Sequence, residues 1–305
     1  MGSANVPLTL GQEARRETAP RRTQSIWLTV LRRLVRHPTG LIGVVCVSLV
    51  TLGAILAPLI APAGPIDQER GNELAGASLA HPFGTDEFGR DILARVLYGG
   101  RTSISVGVIA VLCGAAIGLI LGLVAGYRGG AFEAITMRIL DVLLAFPPIL
   151  MGIAVTAIVG TGARSVGVAV AIASIPDFAR ITRAATIAEK EREYVTASRA
   201  LGASAVRIMR RHLFPNVLPP LLVQLSVAMA FSVLLEAGLS FLGLGVQVPQ
   251  PSWGSMLQSA RTYLYQAPSY ALFSGIALTM LLVGFNFVAD ALRDILDPRL
   301  NRQLR

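Results

Sequence analysis

Apolar residues gather into six blocks of membrane length, separated by mostly short polar connections. The blocks run over 40–62, 104–126, 133–160, 164–183, 218–244 and 271–290. A hydrocarbon core of about 30 Å calls for about 20 apolar residues in a helix. In lipid the backbone must satisfy its own hydrogen bonds, which a helix does. The pattern predicts an all-α membrane protein with six transmembrane helices. The fourth block is the poorest in cleanly apolar residues, which end at Pro176 and Asp177. A re-entrant or tilted segment is the alternative there. A full span is preferred because loop orientation otherwise fails.

Composition agrees. Charged residues make up 15% of the chain, against about 25% in soluble domains, and apolar residues make up 53%. Mean hydropathy is +0.61. The net charge of +9 is a topology signal. With both termini in the cytoplasm, 21 of the 27 Lys and Arg residues fall on that side, as the positive-inside tendency requires. The basic residues are dispersed among short loops, so nucleic acid is not an expected partner. The first apolar block begins after a long polar tail and is membrane-length, so it is expected to act as a signal anchor and not as a cleaved leader. The expected location is the cell (inner) membrane, with multiple passes.

Polar and small residues add detail. Residues 1–39 form a cytoplasmic tail. Within it, 21–37 alternates apolar and arginine positions as a basic amphipathic helix on the inner leaflet does, and Pro38 should break it from the first span. Gly114, Gly118, Gly122 and Gly126 share one helical face and predict a close helix–helix seam. Arg138 and Asp141 are i,i+3 neighbours and an expected ion pair at the inner interface, ahead of a bend at Pro147-Pro148. Residues 63–103 face outward and include a short amphipathic helix at 89–100. His81, Asp86, Glu87 and Asp91 there match no metal motif, so a polar capping and docking role is expected. Cys46 and Cys113 lie inside apolar spans and read as small core residues.

No catalytic constellation, cofactor site or metal site is legible. Lys190 is the single lysine and it follows Glu189, so a phosphate-cradling G-x-x-x-x-G-K-[ST] loop occurs nowhere in the sequence. If ATP drives this protein, another chain binds it. One intramembrane charge stands out: Glu236, with Ser232 and Ser240 four residues to either side on the same face. A carboxylate in a span must face the bundle interior or water. These three residues either line a translocation path or form a structural hydrogen-bonding group between helices.

The longest polar connection, Ala179 to Pro219, carries eight Lys and Arg residues. It reads as two short helices broken at Gly202 and ended near Pro215, hung below the bundle. Its run Thr196-Ala197-Ser198, Leu201-Gly202 and Phe214-Pro215 resembles the EAA loop of ABC importer permeases. HPFGTDEFGRDILARVLYGGR (81–101), MRILDVLLAFP (137–147), LSFLGLGVQVPQPSWG (239–254) and DALRDILDPRL (290–300) resemble the C-type permease subunit of dipeptide, oligopeptide and glutathione importers. The resemblance implies an N-terminal helix plus a five-helix type I importer core over 104–294, a coupling loop at 184–217 and a cytoplasmic tail at 295–305. It implies ATPase-coupling contacts at Thr196, Ala197, Ser198, Leu201, Gly202 and Pro215. It also implies a second permease subunit, two ATP-binding subunits, an extracytoplasmic solute-binding protein and a peptide substrate. Glutathione and nickel chelates are alternative cargoes. A self-sufficient secondary transporter is the rival class, and should show several intramembrane ionisable groups or an internal repeat.

Overall fold

The computed structural model describes residues 26–296, and the expectations for 1–25 and for 297–305 lie outside them. The regular secondary structure of the described residues is helical, apart from one isolated bridge between Thr85 and Asp91. In chain order the helices are α1 (Ile26–Arg36), α2 (Pro38–Ile55), α3 (Ala57–Ile60), α4 (Ile92–Arg128), α5 (Gly130–Ala145) and α6 (Pro148–Val159). They continue with α7 (Ala163–Lys190), α8 (Glu193–Ala200), α9 (Ala205–Ile208), α10 (Phe214–Phe241), α11 (Trp253–Thr262) and α12 (Pro268–Leu296). Five continuous helical segments are long and apolar enough to cross a membrane, and the bent pair α5/α6 makes a sixth if it counts as one span.

Each predicted block is helical, the third as a bent pair, and several differ in form from the expectation. The short helix expected at 89–100 is not separate. It is the first three turns of α4, which runs unbroken for 37 residues. Gly99 and Gly100 weaken a helix by roughly 1 kcal/mol each, but here they admit neighbours. A Cβ on Gly100 would stand 2.8 Å from the Trp253 ring. Asp91 caps α4, accepting a hydrogen bond from the Ala94 N–H at 2.7 Å.

The third span is two half-helices meeting at 92°. Phe146 is extended, as a residue before proline prefers, and Pro148 starts the new helix. The expected Arg138–Asp141 pair does not form. Arg138 is exposed, and Asp141 pairs instead with Arg180 of α7. Glu133 pairs likewise with Arg183. Both acids of α5 thus reach across to the neighbouring helix.

The fourth span is a full helix that absorbs Pro176 and runs on to Lys190, seven residues past its predicted end. Its extension, AATIAEK, is rich in helix formers. The segment near Pro215 is no helix end. A π-helical turn at Met209–Leu213 feeds directly into α10. The wider turn absorbs a proline that would otherwise clash with the preceding α-helical carbonyl.

Close approach between helices organises the bundle. Along α4, Cβ atoms on Gly114, Gly118, Gly122 and Gly126 would stand 2.6, 2.6, 2.3 and 2.9 Å from carbonyl oxygens of Ala171, Ile175, Ala179 and Arg183. The glycine face is therefore the α4–α7 seam. A second seam joins α2 to α12, where a Cβ on Gly43 would meet the Gly284 carbonyl at 2.8 Å. Buried Val111, Val166, Val170, Phe178 and Leu239 form the central core between α4, α7 and α10. Ile92, Val233, Trp253, Met256 and Tyr270 form a second core under α11. At the far end Leu34 of α1 packs on Ala291 and Leu292 of α12, and His37 breaks α1 from α2 just before Pro38.

Candidate functional site: a tethered surface helix

Beyond the seam, α7 and α10 project from the bundle and carry α8 between them. Three buried side chains, Val195, Ile208 and Leu213, anchor this region against Leu123 and Tyr127 of α4. Polar contacts fix its orientation. The Lys190 ammonium donates to the Gly126 carbonyl at 2.9 Å, closing the gap between the ends of α7 and α4. The Tyr194 hydroxyl donates to Glu189 and accepts from the Asn216 amide at 3.0 Å. The same amide bonds the His212 carbonyl at 2.7 Å. The His212 ring nitrogen meets the Ser198 hydroxyl at 3.3 Å, and its ring lies 5.8 Å from that of Tyr194. Partial burial, reinforced by the Glu189 carboxylate, pushes the Tyr194 phenol up to about 12, so it stays protonated and able to donate.

The outer face of this helix is small and open. Thr196, Ala197, Leu201, Gly202 and Pro215 are exposed, and Ser198 is half-buried by its contact with His212. Leu201 stands 88% exposed at the tip, an apolar side chain offered to something outside the chain. Gly202 reverses the backbone at φ 78°, where a side chain would be strained. No atom lies within 4 Å of a Cβ placed there. Its role in this chain is conformational. Pro215 is set apart from the others, in the first turn of α10. Sequence reasoning missed Tyr194, Asn216 and His212. Their side chains meet only because the π turn swings α10 beneath α8.

The opposite end of the bundle is closed by residues 61–91 and α11. Asp86 is fully buried there. It accepts from the Arg90 guanidinium at 2.7 Å, from two backbone N–H groups, and faces Arg95 at 3.1 Å. Arg95 in turn donates to the Pro65 carbonyl at 2.9 Å. Phe83 stacks on Phe273 of α12 at 3.6 Å. His81 bridges Asp91 at 2.9 Å and Glu69 at 3.1 Å. The hydrogen bond to Asp91, aided by Glu69, raises the His81 pKa above its ordinary value of 6.5, against a smaller opposing effect of burial. Glu69 is held below the usual carboxylate range by Asn72 and then His81. Burial pushes Glu87 upward. This is a polar clasp, as the sequence suggested. No group of three or more metal-ligating side chains gathers among the described residues.

Ser232, Glu236 and Ser240 are all buried within this chain, where α10 meets α4 and α11. Ser240 donates to the Glu236 carboxylate at 2.8 Å. The hydroxyls of Ser103 and Ser252 flank it from α4 and from the cap of α11. Ser232 bonds back to the Met229 carbonyl at 2.8 Å and packs on Gly107. None of the three lines any of four cavities that open between the helices. Ser103 and Ser252 lie too far from Glu236 in sequence for spacing to have revealed them.

A membrane bundle in which two 28-residue spanning helices, α7 and α10, carry a small braced surface helix between them has the architecture of a transporter's permease subunit. The chain belongs to the family of binding-protein-dependent transport system inner membrane components, which residues 118–302 match, while residues 25–82 match the N-terminal TM domain of oligopeptide transport permease C. It is a multi-pass membrane permease of the ABC importer class. The dipeptide transport system permease protein DppC of Alkalihalophilus pseudofirmus is 39% identical over 276 residues, covering 90% of this chain and 91% of that one. The glutathione transport system permease protein GsiD of Pectobacterium atrosepticum is 43% identical over 277 residues, 91% of each chain. A chain of the MetNI methionine ABC transporter, solved in inward-facing conformations, shares the fold with a TM-score of 0.55 at 20% identity. The match covers 67% of this chain and 96% of that one.

Proposed function

We propose that this chain is one of two transmembrane subunits of an ATP-driven importer of short peptides, working by alternating access. Two separate ATP-binding subunits dock on the face formed by Thr196, Ala197, Ser198, Leu201 and Gly202, with Pro215 setting the start of α10. Residues 61–91 and α11 then face outward toward a solute-binding protein, and both termini are cytoplasmic. The single observation that carries this reading is the bracing of α8. Asn216 fastens it to α10, His212 to the π turn before α10 and Glu189 to α7, while Lys190 ties the end of α7 to α4. A push on α8 must therefore move two spanning helices as rigid bodies. A chain with one lysine and no phosphate loop takes its energy from partners. The cargo reading rests on the relatives, one named for dipeptides and another for glutathione.

The test is uptake by vesicles holding this chain with its partner permease, ATPases and binding protein. ATP-dependent accumulation of dialanine supports the peptide reading, and accumulation of glutathione alone moves the cargo to the second relative's. Uptake by this chain without the ATPases would assign it to the secondary transporters. Orientation is checked by cysteines at positions 75 and 205, which should label from opposite faces, the first from outside.

A further inference from the structure

A recess of about 200 Å³ opens between α7 and α10, lined by Ser174, Asp177 and Phe178 on one side and Gln224, Ala228 and Phe231 on the other. Asp177 lies 14 residues into α7, roughly 21 Å along the helix at 1.5 Å per residue. That depth is well inside a hydrocarbon core of about 30 Å. An ionisable group there is costly unless it faces water, a partner or a ligand. Asp177 makes no salt bridge among the described residues. Arg180, one turn on, is committed to Asp141, and Arg183 to Glu133. With those pairs neutralised, the recess carries one net negative charge. Its carboxylate is exposed into the opening.

Resting on the peptide-importer reading, we propose that this recess receives the free ammonium end of the cargo during translocation, with Asp177 as the residue that selects it. An ammonium has three donors. The recess offers three acceptors: the Asp177 carboxylate, the Gln224 amide oxygen and the Ser174 hydroxyl. The Ser174 proton is already given to the Val170 carbonyl at 2.8 Å, so its oxygen is left to accept. Phe231, 45% exposed, supplies a ring face at the opening, and an aromatic face attracts a cation. The volume holds about six waters at some 30 Å³ each, smaller than a whole drug-sized site. It fits one end group and its first side chain, which suits a path that must release what it holds. Every contact offered to the backbone end is independent of side-chain identity.

The recess is tested directly in the full complex, with Cys46 and Cys113 replaced by serine and Val227→Cys, on the recess wall, as reporter. Dialanine should slow maleimide labelling of that cysteine at least twofold, N-acetyl-dialanine should not, and Asp177→Asn should abolish the protection. ATP-dependent uptake of dialanine should fall about fivefold or more in Asp177→Asn and recover largely in Asp177→Glu. Equal protection by both peptides, or wild-type uptake in Asp177→Asn, overturns the assignment while leaving the importer reading intact. A loss of assembled complex in Asp177→Asn would give the carboxylate to a subunit contact and also overturn it. Failure of the unmodified complex to take up dialanine would remove the importer reading and this proposal together.

Discussion

The Asn216 amide, in the first turn of α10, donates to the Tyr194 hydroxyl on α8 at 3.0 Å and so ties the surface helix to the spanning helix. A neutral hydrogen bond of this kind contributes about 1 kcal/mol, roughly a fivefold shift in an equilibrium. Tyr194→Phe and Asn216→Leu should each lower peptide transported per ATP hydrolysed severalfold. If the two groups act as one link, the double variant should be no worse than the worse single one. An unchanged ratio in both singles would show that the peptide connection alone transmits the motion.

Gly202 sits at φ 78° with open space beyond it. Gly202→Ala should cost about 1–2 kcal/mol locally through backbone strain and leave coupling largely intact. Gly202→Asp adds a carboxylate to the face proposed to dock the ATPases. It should remain in the membrane yet release or uncouple them. Normal substrate-stimulated ATP hydrolysis in Gly202→Asp would remove this tip from the docking surface.

The glycine seam predicts a different failure. A Cβ on Gly122 would stand 2.3 Å from the Ala179 carbonyl and 2.7 Å from the Thr182 Cβ. Both neighbours are backbone or branched, so neither can step aside. Gly122→Leu should cost more than the 1–3 kcal/mol typical of overpacking and reduce folded yield in detergent. Gly130→Leu, at an open position on the next helix, should reduce yield much less, through its φ of 61° alone.

Glu236 is packed beneath the N-terminus of α11 with Ser240 as donor. We infer a structural role, holding α11 to α4 and α10. Glu236→Gln keeps an acceptor for Ser240 and should assemble and transport nearly normally. Glu236→Leu strands the surrounding hydroxyls and should lower complex yield, at about 1–3 kcal/mol per unsatisfied group. Normal yield with altered cargo preference in Glu236→Gln would restore the path role.

His81 makes the clasp at residues 61–91 sensitive to pH. Its pKa is raised above 6.5 in the folded chain by Asp91 and Glu69. The stabilisation is fully present below the unfolded value and is lost as pH rises through the higher folded value. Protease nicking of residues 61–80 in the wild type should therefore increase as pH climbs from about 6 to 8. His81→Gln should flatten that dependence. A flat wild-type profile would remove the histidine from the clasp.

The span inventory was legible because membrane solvation is enforced residue by residue. A block of 20 apolar side chains has few other fates, so all six blocks appear as helices near their predicted places. The glycine face was legible for the same reason: a period of four is a local property. The Pro147-Pro148 bend was also visible, though not its size of 92°. The ends of elements were less secure. Nothing local says that Gly99-Gly100 sits against Trp253, which lets α4 run through, or that a π turn lets the chain pass Pro215 without stopping.

The site divides along the same line. The sequence by itself determined that Thr196 to Gly202 forms a short helix and a glycine turn, because composition and punctuation act over a few residues. It also determined that the chain supplies no phosphate loop. Only the tertiary structure decided which residues brace that helix, that Asp141 serves Arg180 and not Arg138, and that Glu236 is walled in by Ser103 and Ser252. It also moved the open intramembrane carboxylate to Asp177. Side-chain pairing depends on distances across helices far apart in the chain, as with Ser103 and Trp253, 150 residues apart and 3.3 Å from each other. Those distances are set by how the glycine seams let the backbones close, which no single segment encodes.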